Sequence, residues 1–150
     1  MQASIDSGQE SWVHEKGLPH GCREPLVAHL GQRILLATDL TAAARPAERR
    51  AMEVAEQTGA QLQILALIPP AANVIAGARR LGALMRVARR HGIDATGRVA
   101  TGEPGPSVLD AAFGVDAIIL GAGQWRTAAG CPCGHVVLRA PCPVLVIGAA

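Results

Sequence analysis

Four stretches of this chain are apolar almost without interruption: RILLATDL (33–40), QLQILALI (61–68), DAIILGAG (116–123) and PVLVIG (143–148). A half-exposed strand alternates polar and apolar residues, so a continuous apolar run marks a strand covered on both faces. Helical patterns stand between these runs. TAAARPAERRAMEVAEQTG (41–59) sets Ala47, Ala51, Val54, Ala55 and Thr58 along one face, with Pro46 suited to a first helical position and Gly59 to a stop. Residues 73–91 give Val74, Leu81, Leu84, Val87 and Ala88 as an apolar side, and the same segment carries Arg79, Arg80, Arg86, Arg89 and Arg90 before Gly92. A shorter, weaker strand follows at 95–102, then a helix from Pro106 to Phe113 that stops at Gly114, and a short helix near 130–139. Alternating strands and helices of these lengths predict a three-layer α/β sandwich, a parallel sheet with helices on both faces and right-handed crossovers.

The first 32 residues follow neither period and are broken by Gly8, Gly17, Pro19, Gly21, Pro25 and Gly31. They read as an irregular arm with one helical turn from Pro25 to Leu30, ahead of a domain spanning 33–150. The chain is 49% hydrophobic with two Trp, one Phe and no Tyr, so the core is aliphatic. Without aromatic platforms, binding of single-stranded nucleic acid by base stacking is not expected. A formal net charge of +2 gives no reason to expect a polyanionic partner. The early acidic and basic residues (Asp6, Glu10, Glu15, Lys16, Arg23, Glu24) do not fit a signal peptide, and no apolar run reaches the length of a membrane span. The expectation is a cytoplasmic protein with no membrane contact.

Function concentrates in the last third. The strand at 116–123 feeds a glycine-rich turn ahead of a helix, the place where α/β proteins hold phosphate on free backbone N–H groups and the positive end of a helix. No Ser/His/Asp set, paired carboxylates or P-loop is present, so catalysis is not expected. His14, His20 and His29 lie in the arm, and His91 sits at a helix end, where its charge is favourable without a function.

ILLATDLT (34–41), GAQLQILALIP (59–69), the turn from Gly102 to Pro104, VDAIILG (115–121) and APCPVLVIG (140–148) together resemble the universal stress protein (UspA-like) family, from Arg33 to Gly148. The resemblance implies a Rossmann-like, five-stranded parallel sheet in the order 3-2-1-4-5, a homodimer through the last strand from Pro143 to Gly148, and an ATP or AMP site between strands one and four. That gap is also the switch point, where open α/β sheets bind ligands. Carried over position by position, Asp39 stands at the first-strand acid, Thr41 at the small hydroxyl residue two places on, and Leu67 where the strand-two backbone borders the adenine. Gly121 matches the first glycine of the phosphate loop G-x2-G-x9-G-[ST], with Gly123 nearby. The second glycine is replaced by Gln124, and bulky Trp125 and Arg126 follow. Counting back from residues 140–143 aligns Gly130 and Cys131 with the final Gly-Ser; counting forward selects Gly134 and His135. The first alignment is preferred, because a helix after Gly134 has room for barely one turn before Pro141. Either way the phosphate-holding hydroxyl is lost, and a thiol is a weak donor. The resemblance therefore implies a regulatory domain of the stress response with an unidentified protein partner and weak or lost ATP/AMP binding.

Two other readings stay open. Cys131, Cys133 and His135 suit a redox or metal sensor, since a helix start favours thiolate and these are zinc ligand types. The Cys-x-Cys spacing is tighter than known zinc knuckles, so no metal is expected. A ligand-free dimeric interaction module is the other alternative. Arg126 could pair with phosphate, but a solvated loop arginine is the simpler role.

Overall fold

The computed structural model describes residues 10–14, 32–125 and 132–148, the first of these as backbone alone. The elements run β1 (Glu10–His14), β2 (Arg33–Thr38), a 3-10 turn (Ala42–Ala44), α1 (Arg45–Thr58), β3 (Gln61–Ile68), α2 (Val74–Arg90), β4 (Ala95–Thr101), α3 (Pro104–Ala111), β5 (Ala117–Gly121), α4 (Cys133–Arg139) and β6 (Val144–Ile147). The sheet order is β1-β6-β5-β2-β3-β4. Strands β2 to β6 are parallel and take the expected 3-2-1-4-5 order when counted among themselves.

The apolar runs are continuous because each strand serves two cores. Successive side chains point to opposite faces. Ile34, Leu36, Ile64 and Ile119 pack with Ala47, Ala51 and Val54 of α1 and Leu81 of α2. Leu35, Leu65, Ile118, Leu120 and Val146 pack with Val108 of α3 and Val136 and Val137 of α4. Central positions such as Ile34, Leu36, Ile118 and Ile119 are wholly inaccessible to water. Burying each such side chain stabilises the fold by about 1.5–3 kcal/mol.

The helix faces need correction. Thr58 is exposed and turns its hydroxyl back onto the Val54 carbonyl. In α2 only Gly77, Leu81 and Ala88 are buried, while Val74 and Val87 face solvent. The reason is position: α2 lies over β4 and β3 at the sheet's edge, which covers only a narrow strip. Its first turn is capped by Asn73, whose side chain accepts from the N–H groups of Ile75 and Ala76. Helix α3 begins at Pro104, two residues before the expected start, and α4 begins at Cys133 rather than near residue 130.

The irregular arm also contains a strand. β1 pairs antiparallel with β6, with Trp12 opposite Val146, Val13 opposite Leu145 and His14 opposite Val144, and a shift in register after Glu10. The edge of β6 assigned above to a second copy thus carries a strand of the same chain. The helical turn expected from Pro25 to Leu30 lies outside the described residues. No described helix is long and apolar enough to cross a membrane.

Candidate ligand crevice at the strand switch point

The strand order reverses between β2 and β5, because β3 and β4 add to one side of β2 while β5 and β6 add to the other. Beyond the carboxyl ends of these strands such a sheet splays and leaves backbone groups without ladder partners. The last paired residues are Ala37 and Leu120. Past them, β2 still offers the Ala37 carbonyl and the Asp39 N–H, and β3 offers the Leu67 carbonyl.

Gln124 takes the first two. Its Nε2 donates to the Ala37 carbonyl at 3.0 Å, and its Oε1 accepts from the Asp39 N–H at 2.7 Å. A residue of a neighbouring parallel strand bonds the same pair, the carbonyl before and the N–H after the residue opposite it. The Gln124 side-chain amide therefore acts as one more residue of β5, supplying its N–H and its carbonyl, and adds a rung opposite Thr38. The side chain has no solvent exposure, and its burial is tolerable because both ends of the amide are bonded.

Trp125 takes the third. Its indole Nε1 donates to the Leu67 carbonyl at 3.1 Å, and its backbone N–H donates to Asp39 Oδ2 at 3.3 Å. The turn from Gly121 to Trp125 thus runs from the end of β5 across β2 to β3. The ring rests against the apolar cluster that includes Leu35, Leu65, Leu67 and Leu120.

The other rim is the loop after β2. Asp39 Oδ1 accepts from both the N–H and the hydroxyl of Thr41, at 3.0 and 2.6 Å. Thr38, fully buried, donates its hydroxyl to Glu48 of α1 at 2.7 Å and accepts from the Leu40 N–H. Leu40 has φ 61° and Trp125 φ 52°, the two described non-glycine residues in the left-handed region. Residues with a Cβ rarely take this conformation. Both rims of the crevice hold one.

The structure brings together five of the seven residues singled out in the sequence: Asp39, Thr41, Leu67, Gly121 and Gly123. Asp39 holds its own loop and the facing one together, and Leu67 contributes its carbonyl. A Cβ on Gly121 would meet Gln124 Nε2 at 3.0 Å and the Ala43 carbonyl at 3.4 Å, so the glycine makes room for the buried amide. Gly123 would meet only ordinary contact, at 3.5 Å from Ala43 Cβ. Gly130 and Cys131 lie outside the described residues, as does Arg126. Gly134 and His135 lie inside the first turn of α4.

Cys133 and His135 do not converge. Two residues apart on a helix, they diverge. Cys133 is buried, with its Sγ 3.6 Å from the Gly121 carbonyl, while exposed His135 lies over Gly105 of α3. Cys142 is buried as well. Among the described residues no group of three or more His, Cys, Asp or Glu could hold a metal.

A doubly covered parallel sheet with a crevice at its switch point defines an open, doubly wound α/β domain. The sequence matches the universal stress protein family over residues 31–148, and the chain belongs to that family. Solved structures agree in fold. UspA from Lactobacillus plantarum is 26% identical, with a TM-score of 0.63, covering 77% of this chain and 97% of that one. A universal stress protein in complex with cAMP is 23% identical (TM-score 0.66; 79% and 98% covered). The universal stress protein from Archaeoglobus fulgidus in complex with dAMP is 22% identical (TM-score 0.62; 79% and 98% covered). A search of curated protein sequences finds no match.

Proposed function

We propose that the chain is a non-catalytic regulatory domain of the stress response, cytoplasmic, in which adenine-nucleotide binding at the crevice between β2 and β5 is weak or lost. One observation carries this reading: Gln124 and Trp125 engage the Ala37 carbonyl, the Asp39 N–H and the Leu67 carbonyl, the backbone groups at the crevice rim. A nucleotide entering there breaks bonds the protein already makes. Each one not remade costs about 1–3 kcal/mol, roughly a tenfold to hundredfold loss of affinity. The Asp39 carboxylate is likewise engaged, by Thr41 and by the Trp125 N–H. Because structural relatives bind cAMP and dAMP, ATP and AMP are the appropriate probes. If either binds, Asp39, Thr41, Leu67, Gly121 and Gly123 line its site, with Gly130 and Cys131 at the phosphate end.

Isothermal titration of the full chain with ATP and with AMP tests the reading. The expected outcome is a Kd weaker than about 1 mM for both, about −4 kcal/mol or less of binding free energy. A tighter Kd for either overturns it. Signalling then rests on a protein partner or on self-association from Pro143 to Gly148. Since β1 pairs with that edge, two copies meet there once β1 has moved aside.

A further inference from the structure

The two sides of the sheet end differently. β1 lies along β6, whereas β4 is paired on one side only among the described residues. Its register with β3 is unbroken from Leu62 opposite Ala95 to Ile68 opposite Thr101, with no bulge and no proline. Such an edge is a template for a further strand. In a parallel ladder alternate residues bond the neighbour. The Leu62 N–H donates to the Asp94 carbonyl at 2.9 Å, so Thr96, Arg98 and Ala100 bond β3. Ala95, Gly97, Val99 and Thr101 direct their N–H and carbonyl groups away from it. One of these groups already draws a donor: Arg89 of α2 reaches the Ala95 carbonyl with Nη2 at 3.3 Å.

The faces beside this edge differ in chemistry. On the α2 face Gly97 backs onto Leu81 and Met85, and Val99 packs half-buried on the same core. On the other face α3 ends at Ala111, and a groove of about 310 Å³ opens beside it. Buried Leu35 and Leu65 line it, together with half-buried Gln63 and exposed Thr96 and Arg98. Arg98 has no ion-pair partner among the described residues. Asp94, just ahead of β4, is held by Gln61 at 2.9 Å.

We propose that the open edge of β4 docks an extended segment of a partner protein in which acidic and apolar residues alternate. The segment adds a strand whose backbone bonds Gly97, Val99 and Thr101. Its acidic side chains lie beside Arg98 on the groove face, and its apolar ones continue the α2 face, as alternation along a strand allows. A second copy of this chain fits poorly. Antiparallel β4 strands in full overlap set Arg98 directly opposite Arg98, and like charges so opposed are destabilising. The proposal gives the unidentified partner a surface and a chemistry, and it does not depend on what the crevice binds.

The full chain is titrated calorimetrically with two capped heptapeptides, one alternating valine with glutamate and one alternating valine with lysine. The wild type is expected to bind the glutamate peptide with a Kd below about 1 mM, and the lysine peptide at least about fivefold more weakly. Val99→Pro removes an outward N–H and no bond to β3, and is expected to weaken the glutamate peptide about tenfold or more. Arg98→Glu, at an exposed position, is expected to reverse the preference, with the lysine peptide at least about fivefold tighter. A wild type that takes neither peptide or both alike, a folded V99P that binds as the wild type does, or an R98E that keeps the original preference overturns the proposal. So does a wild type that sediments as a dimer when V99P sediments as a monomer, since the edge then belongs to a second copy. If V99P does not fold, Arg98→Glu and the two peptides decide. The ATP and AMP titrations above test the crevice alone, so either reading can fail without the other.

Discussion

The two ends of the parallel sheet solve the same problem by different means. At the amino ends of the strands, Asp116 Oδ2 accepts from the N–H groups of Gln32 and Arg33, both at 2.9 Å, and Gln61 Nε2 donates to Asp94 at 2.9 Å. These bonds lie in solvent, where water can replace either partner. At the carboxyl ends, Gln124 is fully buried, Trp125 crosses the strand ends, and the backbone passes twice through the left-handed region. The amino end is capped cheaply and without strain. The carboxyl end spends buried polar groups and strained backbone to close the gap at the switch point.

Substitutions that treat the two ends alike sharpen this contrast. Gln124→Ala should have the largest effect, since it leaves the buried Ala37 carbonyl and the part-buried Asp39 N–H without their partner. A loss of about 2–4 kcal/mol in urea-unfolding free energy is expected; a loss below about 1 kcal/mol would mean that water or a ligand reaches those groups. Gly121→Ala comes next. The new Cβ presses on an amide fixed at both ends, and about 1–2 kcal/mol is expected from the same measurement. Asp116→Ala should cost least, under about 1 kcal/mol, because solvent takes over its two bonds. If Asp116→Ala costs more than Gln124→Ala, the contrast between the two ends is broken.

The sheet was legible in the sequence because burial on both faces writes an unbroken apolar run, and residues 61–68 fit β3 without adjustment. Helix faces were read less well. Periodicity marks which residues share a side, but how wide a strip is covered depends on where the helix lands, and α2 at the sheet's edge leaves Val74 and Val87 in water. β1 was missed because Glu10–His14 has no apolar run of its own; its order comes from the open edge of β6. At the crevice, the loss of a loop glycine at Gln124 and the bulk of Trp125 were visible as departures from a phosphate loop. Their roles were not visible, since a side-chain amide standing in for the backbone groups of a strand residue needs the splay of two strands that are distant in sequence. A glutamine three residues past the end of a buried strand, followed by tryptophan, is the signal that was available.

The claim at the centre of this account is that the switch point is closed by the chain itself. A crystal structure of the wild-type protein grown in millimolar AMP tests it most directly. The account predicts Gln124 between Ala37 and Asp39, the Trp125 indole N–H on the Leu67 carbonyl, and no base in the crevice. A nucleotide seated there with Trp125 displaced would contradict it.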